Sequence, residues 1–135
     1  MKHELQHIKI NDFTTEAGVK VDELNLSYQV FGQELGTAPV ILINHALTGN
    51  SEVGGPNGWW QDIIGNEKAI NTNYLTVLSF NIPGNGYDQV SSHLIENYKD
   101  FTASDIAEIF AKAIDHLKIT QLFAVIGGSV GGGLA

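Results

Sequence analysis

The chain has 135 residues, with 43% hydrophobic and 16% charged content, a formal net charge of −8, seven lysines and no arginine. That is enough apolar material for a globular core. An acidic chain without arginine lacks the clustered cations that nucleic acid or an anionic membrane surface demands, and the absence of cysteine excludes disulfides, thiolate metal sites and thiol nucleophiles.

The start, Met1-Lys2-His3-Glu4-Leu5-Gln6-His7, is polar, so no secretory leader is expected, and a cytoplasmic location is. No apolar run reaches the ~20 residues of a membrane span. From Leu5 to Phe13, Ile8 and Ile10 alternate with Lys9 and Asn11, which predicts a first strand. A turn follows at Ala17-Gly18. From Leu24 to Phe31, Leu24, Leu26, Tyr28 and Val30 share one face, which predicts a second strand paired with the first as an edge hairpin. After a loop over Gly32 to Pro39 the pattern changes. Val40-Ile41-Leu42-Ile43 is apolar without alternation, as expected of a strand covered on both faces. Gly58-Trp59-Trp60 to Ile64 is expected to form a short helix. Tyr74 to Phe80 is a second buried strand and Leu122 to Ile126 a third. Between these two, Ile106, Ile109, Phe110, Ala113, Ile114 and Leu117 follow helical spacing. Thr102 with Asp105 has the form of a capping box, and Phe101 with Ile106 that of a hydrophobic staple. Strands alternating with helices predict an α/β fold, mostly parallel, with an antiparallel N-terminal hairpin.

Gly127-Gly128-Ser129-Val130-Gly131 fits the pattern G-x-S-x-G. Three fixed letters in five are a weak signal alone. The context strengthens it, because the motif follows a buried strand and Gly132-Gly133-Leu134-Ala135 can open a helix. Such a turn would project the Ser129 hydroxyl from the sheet edge as a nucleophile. Side chains two positions before and after would collide there, so glycine is favoured. The bland alternative is a glycine-rich turn with Ser129 as a helix cap. A dinucleotide fingerprint and a P-loop both fail on glycine and lysine spacing; a phosphate-cradling turn of another kind stays open. Acyl transfer at Ser129 needs two oxyanion donors. One is the backbone N–H of Val130, and the other is expected from the loop after the third strand, Asn44-His45-Ala46-Leu47-Thr48-Gly49.

That loop resembles the His-Ala-Leu-Thr-Gly signature of the homoserine O-acetyltransferase family, a group with the α/β-hydrolase fold. Gly58-Trp59-Trp60, Ile64-Gly65, Lys68-Ala69-Ile70 and Asn71-Thr72 resemble its next block. Phe101-Thr102 with Asp105, then Leu117 to Gly133 with Gly-Gly-Ser-x-Gly-Gly, resemble a third. The match runs from about Tyr28 to Ala135. The resemblance implies an acyltransferase carrying an acyl group from acetyl-CoA or succinyl-CoA, as co-substrate, to the hydroxyl of homoserine or serine through an acyl-serine. It implies Ser129 as nucleophile and the backbone N–H groups of Leu47 and Val130 as oxyanion hole. It implies small-molecule substrates and no bound cofactor. Val130 stands where the family usually has Met, and Asn81 to Tyr87 is a loose variant of the family's loop; both bear on the acyl acceptor.

Triad order in this fold is Ser, Asp or Glu, then His. His45 precedes Ser129, so it is expected to shape the oxyanion loop. His3, His7, His93 and His116 show no metal spacing, and no metal site is expected; Trp59 and Trp60 are expected as packing aromatics. Asp62, Glu67 and Asp88 are expected as solvated charges. With no residue after Ala135 to serve as base, residues 1–135 are expected to form a single incomplete domain, the N-terminal half of an α/β-hydrolase fold with strands 1–5, inactive alone. Its strand Leu122 to Ile126 would then be an apolar edge, open to a homo-oligomeric contact. Competing functions are an esterase with water as acceptor, or a non-catalytic interaction or phosphate-binding module.

Overall fold

The computed structural model describes residues 4–90 and 101–135; His3 and His93 lie outside them. The predicted hairpin forms from β1 (Gln6–Thr14) and β2 (Lys20–Gly32), paired antiparallel with Ile8 opposite Leu26 and Ile10 opposite Leu24. Ile8, Ile10, Leu24 and Leu26 all face the core, as alternation requires. Asp12 then takes a positive φ of 55°, and the inward face passes to Phe13, which is buried in the same cluster.

β3 (Val40–Asn44) and β6 (Thr76–Phe80) are buried at every position, the signature of strands covered on both faces. β7 (Ala124–Gly127) follows α1 (Ala103–His116), and the short α2 (Val130–Leu134) follows β7. The sheet order is β1-β2-β6-β3-β7. β2 meets β6 antiparallel, whereas β3 lies parallel to both β6 and β7. Parallel neighbours need a crossover, and α1 supplies the one leading to β7.

α1 starts as its sequence dictates. The Thr102 hydroxyl accepts from Asp105 N–H at 3.1 Å, and an Asp105 carboxylate oxygen accepts from Thr102 N–H at 2.9 Å. The other Asp105 oxygen accepts from Glu16 N–H at 2.9 Å, which ties the helix start to the β1–β2 turn. Burial pushes the Asp105 carboxyl up, but these donors more than offset it and hold it below the usual carboxylate range. One apolar cluster lies between the sheet and the helices, where Phe80 stacks on Phe110 at 5.1 Å between centroids. A second, with Phe31, Ile43, Val53 and Val77, fills the opposite face.

Five expectations need correction. The run Leu122 to Ile126 is a strand only over Ala124–Gly127, and it is half-exposed rather than buried, because among the described residues β3 alone pairs with it. Residues 58–64 form successive turns rather than a helix, followed by a parallel pair of two-residue strands, β4 (Ile64–Gly65) and β5 (Ile70–Asn71). There the backbone is captured by other segments: Trp59 and Trp60 N–H donate to the Glu52 and Val53 carbonyls at 3.1 and 2.9 Å. Tyr74 lies outside β6 and is exposed, because its N–H closes a turn onto Asn71. On β2, Ser27, Gln29 and Phe31 are buried as well as the opposite face, since the chain after β3 folds over them. Asp88 is not solvated: its side chain is 10% exposed and lies 3.9 Å from His7.

Candidate active site

The parallel strands β3 and β7 end side by side, with Asn44 opposite Gly127. In sheets of this kind ligands bind beyond the carboxyl ends of the strands. Two of the predicted site segments, residues 44–49 and 127–131, leave the sheet there together.

Ser129 is exposed, with φ 55° and ψ −121°, a region sparsely populated by non-glycine residues and costing about 1–3 kcal/mol. It caps α2 by position, yet its side chain makes no capping hydrogen bond, so the hydroxyl is not spent on the helix. Close packing holds the strain in place. A Cβ on Gly127 would lie 2.1 Å from the Gly131 carbonyl oxygen, and one on Gly131 would lie 2.2 Å from the Asn44 carbonyl oxygen. Gly128 and Gly133 meet nothing within 4 Å. The glycines two residues before and after Ser129 are therefore sterically required, and the other two are not.

Val130 opens α2, so its N–H has no intrahelical partner. Ala46 and Gly49 close a turn at 2.9 Å, with Leu47 at its exposed tip. Neither the Leu47 nor the Val130 N–H donates to a described residue. Both expected donors are therefore free at the same end of the sheet.

His45 holds the base of this loop. Its Nδ1 lies 2.5 Å from the Ala46 carbonyl, and its Nε2 accepts from Ile82 N–H at 2.9 Å. An acceptor Nε2 fixes the neutral tautomer with the proton on Nδ1. Burial lowers the imidazole pKa, and the bond to Ala46 opposes this only in part. With both nitrogens engaged, His45 has no lone pair for Ser129. His116 ends α1, whose last turn runs into Leu117, a neighbour of Val40 at the opposite end of β3. His7 accompanies Asn25 at 2.8 Å.

Sequence reasoning missed a buried polar network beside the loop. Asn81 accepts from Ser51 N–H at 2.8 Å and donates to the Ser27 and Ser51 hydroxyls at 2.9 and 2.8 Å; Ser51 donates to Gln29 at 2.7 Å. These residues come from three separate segments, β2, the loop after β3 and the end of β6, and no local pattern links them. Tyr87 donates to Glu52 at 3.0 Å, and burial together with that carboxylate pushes the phenol up to about 12. Among the described residues no group of three or more His, Asp or Glu converges as a metal site.

The family model of the alpha/beta hydrolase fold matches residues 39–135. A homoserine O-acetyltransferase of Natronomonas pharaonis is 32% identical over 96% of this chain, which spans 37% of that relative's length. The crystal structure of homoserine O-acetyltransferase from Staphylococcus aureus superimposes with a TM-score of 0.84 and 28% identity, covering 99% of this chain and 41% of that one. Esterase E22 superimposes with a TM-score of 0.80 and 25% identity, over 96% and 42%. Sheet order, the turn at Ser129 and these matches agree: the chain belongs to the alpha/beta hydrolase fold family, and it is similar along nearly its whole length to homoserine O-acetyltransferases.

Proposed function

We propose that this chain carries the nucleophile and oxyanion hole of an acyltransferase that moves an acetyl group from acetyl-CoA to the hydroxyl of homoserine. The observation that carries the proposal is the strained, glycine-clamped Ser129 turn seated against the 44–49 loop. Ser129 Oγ attacks the thioester carbonyl and loses its proton to a base. The oxyanion so formed lies between the N–H groups of Leu47 and Val130. Its collapse expels the CoA thiolate, which takes up a proton, and leaves an acyl-serine. The homoserine hydroxyl then attacks this ester, transferring its proton to the base and releasing Ser129. His45 does not serve as base, so we assign the base and its carboxylate to the part of the relatives' length that this chain does not span. The substrates are small molecules of the cytoplasm, and no nucleic-acid or membrane partner is proposed.

The test uses the full-length protein with acetyl-CoA. Intact-mass spectrometry should show one acetyl adduct on Ser129, discharged by homoserine, and Ser129→Ala should lower turnover by roughly 10³-fold or more. Full activity in Ser129→Ala would refute the assignment. The likeness to esterase E22 favours a second reading, in which water is the acceptor. An adduct discharged at the same rate with and without homoserine would select it.

A further inference from the structure

Among the described residues one buried side-chain polar atom has no hydrogen-bond partner, Asn44 Oδ1. It belongs to the last residue of β3, directly opposite Gly127 in the ladder, and the residue is 1% exposed. Its Nδ2 reaches the Gly131 carbonyl at 3.4 Å, a long bond. Gly131 in turn has no room for a Cβ against the Asn44 backbone. Along β3, Val40 and Leu42 enter the helix-side cluster, whereas Ile41 and Ile43 enter the other. By this alternation the Asn44 side chain falls on the helix side, beneath α2. A leucine there would extend the apolar row. An unsatisfied buried oxygen carries an uncompensated desolvation penalty, so an amide is the worse choice for stability alone.

We infer that Asn44 is a positioning residue of the acyl-transfer site: its carboxamide holds the first turn of α2 through Gly131, and its free oxygen takes a bound water that braces the same turn. This rests on the assignment of Ser129 as nucleophile. Asn44 touches the chemistry through Gly131, two residues beyond Ser129 and one beyond the Val130 donor. A shift of that turn moves nucleophile and donor together, and misplacement by about 1 Å is enough to cost about 10²-fold in rate.

The experiment compares Asn44→Leu and Asn44→Asp with the parent in the full-length protein. In Asn44→Leu the melting temperature should hold or rise, because the orphan oxygen is gone. Its kcat should fall about 10²-fold with KM for acetyl-CoA unchanged, and phosphonate labelling of Ser129 should slow in parallel. Asn44→Asp keeps the acceptor but turns a second oxygen toward the Gly131 carbonyl, and should also lose kcat. Parental kcat and labelling rate in Asn44→Leu would overturn the inference. Should both variants fail to fold, a high-resolution crystal structure of the parent decides: a water within hydrogen-bond distance of Oδ1 supports the role, and an Oδ1 without one overturns it. Ser129→Ala separates the two levels. An active Ser129→Ala refutes the nucleophile, whereas an inactive one beside a fully active Asn44→Leu refutes only the role of Asn44.

Discussion

Gly131 and Gly133 belong to the same glycine run, yet their surroundings assign them opposite fates. Gly131 faces the Asn44 and His45 carbonyl oxygens, 2.2 and 2.6 Å from where a Cβ would stand. Backbone cannot yield as a flexible side chain does, so Gly131→Ala should destabilise by about 1–3 kcal/mol and cut acyl transfer by about 10²-fold. Gly133 meets open space, so Gly133→Ala should be tolerated and gain about 1 kcal/mol of helix propensity. Thermal melts and turnover of the two variants check this, and equal behaviour would contradict the packing account. His45 adds a pH signature. Its imidazole lies below the ordinary 6.5 in the fold because burial disfavours the cation. At pH above 6.5 it is neutral folded or unfolded, and its stabilisation is fully present. As pH falls below 6.5 the unfolded chain takes up the proton first, so stability declines. Replacing it by His45→Asn should flatten that acid limb in pH-dependent denaturation; an unchanged limb would assign it to other groups. The motif made Ser129, Gly127 and Gly131 legible in the sequence. Asn44 was not, because an orphan oxygen is a property of tertiary neighbours.

The elements whose signals are local came out as the sequence predicts. α1 has its capping box, apolar stripe and start within one continuous segment, so nothing distant had to be known. Thr102→Ala should remove the cap and lower stability by about 1 kcal/mol, measured by chemical denaturation; Thr102→Ser should restore most of it. No loss in the alanine variant would mean that Asp105 alone sustains the helix start. The segment 58–64 shows the opposite case. Its aromatic pair and Gly58 fit a helix turn, but a Cβ on Gly58 would lie 2.3 Å from the Gly54 carbonyl oxygen. A fold-back that tight leaves no room for a regular helix. The interior of the second cluster, with Gln29, Ser51 and Asn81 nearby, was equally hidden, because alternation in β2 speaks only for its contacts with one layer.

At the scale of the molecule, β7 pairs with β3 alone and closes one side of the described sheet. Phe123 beside it is 69% exposed and Val125 within it 37%. An apolar strand with a bare hydrogen-bonding edge is a template for pairing. The 135-residue chain expressed by itself should therefore associate, and Val125→Lys should shift light scattering toward monomer. A strictly monomeric parent would count against this. Fold class was legible in run lengths, since apolar runs without alternation between helices call for a mostly parallel sheet, whereas the strand order emerges only from the pairing in three dimensions. α2 carries a further consequence. Its five residues are Val-Gly-Gly-Gly-Leu, a sequence that cannot sustain a helix by propensity. It exists because the end of β3 lies under it. During synthesis, then, Ser129 leaves the ribosome as an ordinary serine, and it gains its reactive posture only when β7 docks beside β3. On the proposed assignment of Ser129 as nucleophile, competence for acylation then waits on that docking, and a chain that has not made it does not hold the serine in the strained turn.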